Sequence, residues 1–210
     1  MDNKINILVI GDSIVYGMGD NEKCGWVNRL RLKLEKDTTH FYDVYNLGIP
    51  DDTSLNIVDR VYNEIKDRYY DGRLIVIFSF GGNDCIQVEE TPMEFKKNIQ
   101  YAIKMAKRFT DEIKFIGITE MEEVDGIGRF GRKLHVDKTK ISVFDKIINK
   151  VCSVEKIDYI RIDKKVIDNS LDGIHPDEKG HQLICDIVYN NIKENSNENN
   201  NTTRTENKEE

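Results

Sequence analysis

The chain has 210 residues, of which 39 % are hydrophobic and 33 % charged, as is typical of one globular domain that is long enough to bury a core. Its formal net charge of −7 argues against nucleic acid or an anionic membrane as the main partner, because both carry negative charge. The apolar run over residues 5–10 is too short for a secretory signal, and no run reaches the roughly 20 apolar residues that span a bilayer. We therefore expect a cytoplasmic protein without stable membrane insertion.

Five short runs rich in β-branched residues predict buried strands, because they lack the strict alternation of half-exposed strands. An apolar spacing typical of helices follows each run. This alternation indicates an α/β fold of three layers, with a five-stranded parallel sheet covered by helices on both faces. The predicted strands are Lys4–Ile10, Asp43–Leu47, Leu74–Phe80, Lys114–Ile118 and Asp158–Ile162. The apolar stripes of the predicted helices run over Trp26–Leu34, Ile57–Ile65, Phe95–Ala106, Ile141–Val151 and Leu183–Ile192.

Two segments of the chain lack regular periodicity. Thr119–Asp137 contains three glycines and follows the fourth strand, so we expect a long loop that covers the carboxyl edge of the sheet as a lid. Residues 195–210 contain no apolar side chain and cannot bury surface, which predicts a disordered polar tail. The expected organisation is one domain over residues 1–194 followed by this tail.

Residues suited to catalysis follow four of the five predicted strands. Ser13 follows the first, Gly48 the second and Asn83 the third. Asp172 and His175 follow the fifth. Because the carboxyl ends of parallel strands share one edge, we expect a nucleophile, a base, a carboxylate and oxyanion donors to converge there, as acyl transfer requires. Two plainer interpretations stay open: Ser13 caps a helix, or Asp172 and His175 only form the turn before the last helix.

The same residues form four blocks that resemble those of the GDSL/SGNH hydrolase family. Gly11–Ile14 resembles the GDSL block, with isoleucine in place of the final leucine, and Gly48 matches the glycine of the second block. Gly81–Asp84 matches the GxND pattern of the third block, and Asp172–His175 matches the DxxH pattern of the last. The blocks occur in the family's order. The resemblance implies the flavodoxin-like fold of SGNH hydrolases.

The resemblance also implies a role for each matched residue. Ser13 would be the nucleophile, His175 its general base, and Asp172 the partner that orients His175. The backbone N–H groups of Ser13 and Gly48 and the side-chain amide of Asn83 would form the oxyanion hole. The implied function is hydrolysis of a small-molecule carboxylic ester or thioester through an acyl-serine intermediate, without a cofactor or a metal.

The second block departs from the family pattern. It usually carries another glycine a few residues after the first, whereas Ile49–Asp52 follow Gly48 here. We expect the Gly48 N–H to stay available, while Pro50 and two carboxylates reshape the wall of the site. Asp51 and Asp52 would disfavour an anionic substrate nearby.

Two alternative functions use the same fold. One is an acyltransferase, in which an alcohol replaces water as the acceptor. The other is a catalytically idle module that binds a small molecule. The presence of all five matched residues argues against the idle module, and the sequence carries no signal for an oligomeric state.

Other features of the sequence carry less weight. Gly126–Gly131 matches GxGxxG. In a dinucleotide site this motif lies directly between a strand and the helix that begins there. Here several loop residues separate it from the fourth predicted strand and no helix start follows it at once, so we do not expect nucleotide binding. His181 is expected to face solvent or a helix flank, and His135 is expected at the surface. The four cysteines lack metal-ligand spacing and are expected to be free thiols.

Overall fold

The computed structural model describes residues 3–86, 91–122, 125–127, 133–162, 166, 170 and 172–206. Each of the five predicted strands is followed by at least one helix before the next predicted strand. The strands are β1 (Lys4–Gly11), β2 (Phe41–Gly48), β3 (Arg73–Ser79), β4 (Ile113–Ile116), β5 (Asp125–Ile127), β6 (Lys133–His135) and β7 (Asp158–Ile160). The helices are α1 (Ser13–Tyr16), α2 (Trp26–Leu34), α3 (Ser54–Lys66), α4 (Gly82–Ile86), α5 (Pro92–Ala106), α6 (Lys138–Glu155) and α7 (Glu178–Glu206).

Five strands form one parallel sheet in the order β2-β1-β3-β4-β7. This flavodoxin-like order confirms the predicted fold, and each predicted strand lies within two residues of an observed one at both ends. The chain passes from one side of β1 to the other between β2 and β3. Gly11 at the end of β1 pairs with Gly48 of β2 and with Ser79 of β3, so the residues that follow these strands meet at one edge.

Two hydrophobic cores lie on opposite faces of the sheet. Trp26 of α2 and Val188 of α7 belong to the core on one face. Ile57 of α3, Phe95 of α5 and Phe144 of α6 belong to the core on the other face. All five side chains are buried, so the apolar stripes of the predicted helices do face the sheet. The strands are held between two helical layers, which leaves their ends as the place for polar chemistry.

The segment predicted as an irregular loop contains a small antiparallel sheet. β5 pairs with β6, with Asp125 opposite His135. The expectation of a loop throughout Thr119–Asp137 was therefore wrong in part, because strands of three residues are too short to show a period in the sequence. Residues 123–124 and 128–132 lie outside the described residues. The lid function stays a prediction.

The last helix extends beyond the apolar stripe that predicts it. α7 continues to Glu206, whereas the stripe ends at Ile192. Residues 195–206 of the predicted tail are therefore helical in the structure, since a helix that has formed gains one hydrogen bond for each residue that it adds. The division into a domain and a disordered tail stays a prediction. Within the described residues, no helix combines the length and the apolar character needed to cross a membrane.

Candidate active site

Ser13 lies at the carboxyl end of β1, where the chain turns into α1. Asp12 is the N-cap of this short helix, since its carboxylate accepts the Ile14 N–H at 3.0 Å. Ser13 is therefore the first residue of the helix and not its cap. The side chain of Ser13 is largely buried, and its Oγ lies 2.9 Å from Nε2 of His175.

Asp172 and His175 contact each other through their side chains. Nδ1 of His175 lies 2.6 Å from Oδ2 of Asp172, while Oδ1 of Asp172 accepts the backbone N–H groups of Ile174 and His175 at 2.9 and 2.7 Å. Burial tends to raise the pKa of Asp172, but these hydrogen bonds outweigh it and hold the pKa well below its usual range. The ionised carboxylate favours the tautomer of His175 whose Nε2 can accept a proton from Ser13.

Asn83 lies in α4, shortly after the end of β3. Its Nδ2 donates to the carbonyl oxygen of Asp52 at 2.9 Å in a buried contact. The neighbouring Asp84 is fully buried and accepts the Ser54 N–H with both carboxylate oxygens, each at 3.0 Å. These two contacts tie the segment that follows β2 to the segment that follows β3.

Gly48 ends β2 beside α1. A side chain at this position would place its Cβ 2.1 Å from the Tyr16 nitrogen, so the close approach of the two segments requires glycine. The Gly48 N–H donates to Oδ1 of Asn46 at 3.0 Å, and Nδ2 of Asn46 donates to the Val15 carbonyl at 2.8 Å. An oxyanion would have to share this N–H with Asn46, which the spacing of the motif does not reveal.

Two side chains without an expected role also reach this edge. Asp12 is only 4 % exposed, and burial raises its pKa to about 7, although hydrogen bonding and a nearby imidazole act in the opposite direction. Arg60 of α3 donates to the carbonyl oxygens of Gly11 and Leu47, at 3.0 Å each. Nothing in the sequence marks Arg60, because an arginine on an amphipathic helix is mostly a surface residue.

His181 is buried, so the expectation that it faces solvent or a helix flank was wrong. Its Nδ1 accepts the Trp26 N–H at 3.2 Å, and its Nε2 donates to the Met18 carbonyl at 2.8 Å. Burial lowers the pKa of His181, which keeps the ring neutral and able to make both contacts. His135 is exposed, as expected, and lies 2.7 Å from the Asp125 carboxylate.

The remaining sequence features do not add to the site. Cys24 is exposed and Cys85, Cys152 and Cys185 are buried, and all four are free thiols. Burial raises the pKa of Cys85 to about 12, so this thiol stays protonated at neutral pH. Of the GxGxxG match, residues 126–127 belong to β5, and residues 128–131 lie outside the described residues.

Sequence comparison identifies the family of the chain. A sequence model of the GDSL-like Lipase/Acylhydrolase family matches residues 9–183, which include every matched block. The chain belongs to this family. The family resemblance stated from the motifs is thereby confirmed, and membership of the GDSL-like family identifies the chain as an ester hydrolase.

Individual relatives of this GDSL-like chain are distant. Esterase TesA of Pseudomonas aeruginosa is 23 % identical over 192 residues, which cover 89 % of this chain and 87 % of that protein. Among solved structures, the lipase/acylhydrolase from Enterococcus faecalis has a TM-score of 0.71 at 21 % identity and covers 93 % of this chain and 97 % of its own. Axe2, an acetylxylan esterase from Geobacillus stearothermophilus, has a TM-score of 0.69 at 15 % identity, with coverages of 89 % and 93 %. These likenesses show that the fold is shared.

Proposed function

We propose that the protein is a serine esterase that hydrolyses a carboxylic ester or thioester through an acyl-serine intermediate. The observation that carries the proposal is the unbroken chain of contacts from Ser13 Oγ to His175 Nε2 at 2.9 Å, and from His175 Nδ1 to Asp172 at 2.6 Å. A hydroxyl, an imidazole and an ionised carboxylate in this order form the arrangement by which a neutral serine becomes a nucleophile.

The proposed reaction has two similar halves. Ser13 Oγ attacks the carbonyl carbon of the substrate while His175 Nε2 takes the hydroxyl proton. When the tetrahedral intermediate collapses, His175 gives this proton to the leaving alcohol or thiol, and the acyl group stays on Ser13. Water then attacks the acyl-serine with His175 as the base, and the acid is released as Ser13 regains its proton. Asp172 stabilises the imidazolium that forms in both halves.

The proposed oxyanion donors are the backbone N–H groups of Ser13 and Gly48 and the side-chain amide of Asn83. Nδ2 of Asn83 donates to the Asp52 carbonyl, and this contact orients the amide. The Gly48 N–H would be shared with Asn46 or released from it as negative charge develops on the substrate oxygen. Each donor aimed at that charge stabilises the transition state more than the ground state.

The first substrates to test are short acyl esters, since the relatives include proteins named as an esterase and as an acetylxylan esterase. The first measurement compares hydrolysis of p-nitrophenyl acetate by the wild type and by Ser13→Ala, followed by butyrate and octanoate esters. We expect Ser13→Ala to lower kcat by roughly 10⁴-fold or more. Ser142→Ala, at an exposed serine of α6, is the matched control and should keep wild-type turnover.

A fluorophosphonate probe separates the alternatives. A serine esterase reacts with it at Ser13, whereas an idle binding module does not. If the wild type is labelled but transfers the acyl group to an added alcohol faster than to water, the acyltransferase is the better description. Wild-type activity in Ser13→Ala, or no labelling and no turnover in the wild type, contradicts the proposal.

The cytoplasmic location expected from the sequence is tested separately. Cells that produce the protein are fractionated, and its amount is measured in each fraction with an antibody. We expect it in the cytosolic fraction. Recovery with the membranes or outside the cytoplasm contradicts this part of the proposal and leaves the chemistry at Ser13 untouched.

A further inference from the structure

Arg60 connects three segments at the carboxyl edge of the sheet. Its guanidinium donates to the carbonyl oxygens of Gly11 and Leu47, at 3.0 Å each, and to the Asp52 carboxylate at 2.8 Å. It also donates to Glu64, one turn further along α3, at 3.2 Å. The Arg60 side chain is only 16 % exposed, and that of Asp52 only 11 %, so their ion pair is largely removed from water. A planar guanidinium spreads five N–H groups over three nitrogens and can reach acceptors on separate segments, whereas an ammonium offers three N–H groups from a single nitrogen.

The two carbonyl groups belong to peptides beside the proposed oxyanion donors. The Leu47 carbonyl and the Gly48 N–H are parts of one planar peptide, so a donor on the oxygen also fixes the direction of the N–H. The Gly11 carbonyl lies just before Asp12 and Ser13, and it accepts the Ile49 N–H as well as Arg60, at 3.0 Å in both cases. Arg60 therefore holds the ends of β1 and β2 together directly before Ser13, the proposed nucleophile.

Asp52 extends the influence of Arg60 to the third proposed donor. Its carboxylate is paired with Arg60, and its backbone carbonyl accepts Nδ2 of Asn83 at 2.9 Å. Burial raises the pKa of Asp52, and Arg60 opposes this by stabilising the charged form. Loss of the guanidinium would leave a largely buried carboxylate without its cation, and the segment that orients Asn83 would be free to move.

We propose that Arg60 is a positioning residue that aligns the oxyanion donors at Ser13, Gly48 and Asn83 through the main chain and Asp52. This inference rests on the proposed function, because it concerns the same reaction. Arg60 does not contact the reacting atoms. Its effect is on the geometry of the groups that meet the developing negative charge, and such geometry is demanding: a displacement of about 1 Å can cost roughly 100-fold in rate.

The test measures kcat and KM separately for Arg60→Ala and Arg60→Lys with p-nitrophenyl acetate. Because the donors act on the transition state, we expect Arg60→Ala to lower kcat by roughly 10- to 100-fold with little change in KM. Arg60→Lys keeps the charge but offers a single donor point, so it should recover only part of kcat. The rate constant for fluorophosphonate labelling of Ser13 should fall in parallel, since that reaction also develops charge on an oxygen.

Arg68→Ala is the matched control. Arg68 follows α3, and within the described part of the chain its side-chain ion pair and hydrogen bond both go to the same Glu64. We expect this variant to keep the wild-type kcat. Thermal unfolding of each variant, followed by circular dichroism, selects a temperature at which all are folded, and Arg60→Lys keeps the test valid if Arg60→Ala does not fold.

Chemical rescue distinguishes positioning from a general loss of stability. Methylguanidinium at millimolar concentration should restore part of kcat to Arg60→Ala, whereas methylammonium, with the same charge and no planar fork, should not. Wild-type kcat in Arg60→Lys, or an equal loss in Arg68→Ala, overturns the inference while leaving the esterase proposal intact. A wild type that neither hydrolyses esters nor labels at Ser13 overturns both.

Discussion

Oδ2 of Asp172 lies 2.6 Å from Nδ1 of His175, only three residues further along the chain. The other carboxylate oxygen, Oδ1, accepts the backbone N–H groups of Ile174 and His175, so the turn is closed by the same side chain that holds the imidazole. The local backbone and the orientation of the ring are therefore fixed together. What reaches across the molecule is the contact of His175 with Ser13, 162 positions earlier in the chain.

Asp172→Asn should separate the geometry of this turn from its charge. Asn keeps the shape and one oxygen for the backbone N–H groups, but it removes the negative charge that stabilises the imidazolium. We expect kcat to fall by roughly 10³- to 10⁴-fold with little change in KM. Because the pKa of Asp172 lies well below its usual range, the wild type should show no loss of activity from its protonation between pH 5 and 8.

The control for this variant is Asp177→Asn. Asp177 lies two residues after His175, and its carboxylate accepts the Gly180 N–H at 2.8 Å at the start of α7. It carries the same charge in the same segment without contacting the imidazole. A comparable fall of kcat in Asp172→Asn and Asp177→Asn would mean that the loss comes from removing any negative charge in this segment, or from a folding defect, and not from the contact with the imidazole.

Asn83→Ala should slow the reaction without unfolding the protein. Removal of one oxyanion donor of this kind costs about 3 kcal/mol in the barrier, or roughly 100-fold in kcat. The variant also removes the hydrogen bond to the Asp52 carbonyl, so thermal unfolding is measured alongside. Asn149→Ala, at an exposed position of α6, is the control. If Asn83→Ala keeps nearly full turnover, Asn83 is not an oxyanion donor.

The sequence allows Ser13, Asn83 and His175 to be predicted because two signals coincide there. Runs of β-branched residues mark the strands, and a parallel sheet brings the residues after its strands to one edge. The serine, asparagine and histidine that follow the strands are then the residue types that acyl transfer requires. Neither signal needs information about how the helices contact one another. The structure brings Ser13 Oγ to 2.9 Å from His175 Nε2, while the roles of these residues stay a prediction.

The side chains that support the site could not be predicted in this way. Arg60 meets Gly11 across 49 positions, and His181 meets Trp26 across 155. Helical periodicity shows which apolar residues face the core, but it does not show which polar neighbour lies close enough to accept a hydrogen bond. On its own helix, a histidine two positions before an apolar stripe is expected near solvent. The burial of His181 depends on its contact with Trp26 of α2, and the sequence pattern does not show which helices lie side by side.

Asp12 should make the stability of the protein depend on pH in a defined direction. Burial raises its pKa from 3.8 to about 7, so the folded protein keeps this proton in a range where the unfolded chain has lost it. The wild type should therefore lose stability relative to Asp12→Asn as the pH rises from about 4 to 7, and the difference should level off above that. At about 1.4 kcal/mol per unit of pKa, the change amounts to at most a few kcal/mol.

Urea unfolding of the two proteins at a series of pH values measures this difference. Asn can still accept the Ile14 N–H that Asp12 accepts at 3.0 Å, so the cap of α1 is kept. Asp137→Asn serves as the control, because the N–H groups of Thr139 and Lys140 lower the pKa of Asp137. Its difference from the wild type should not vary between pH 5 and 8. A constant difference for Asp12→Asn over the same range would show that Asp12 titrates normally.

Asp51 occupies a backbone conformation that favours glycine. Its φ is 69°, in the left-handed region, and it lies three residues after Gly48, where the family pattern usually carries a second glycine nearby. Asp51→Gly and Asp51→Ala both remove the carboxylate, but only glycine also removes the steric cost of this φ. We expect Asp51→Gly to be more stable than Asp51→Ala by about 1 kcal/mol in urea unfolding.

The same pair of substitutions at Asp59 should give the opposite order. Asp59 is an exposed residue within α3, where glycine is about 1 kcal/mol less favourable than alanine. A difference of one sign at position 51 and of the other sign at position 59 can only come from the local backbone, since both pairs remove one carboxylate and compare the same two residue types. If alanine is the more stable replacement at both positions, Asp51 is not held in the left-handed conformation.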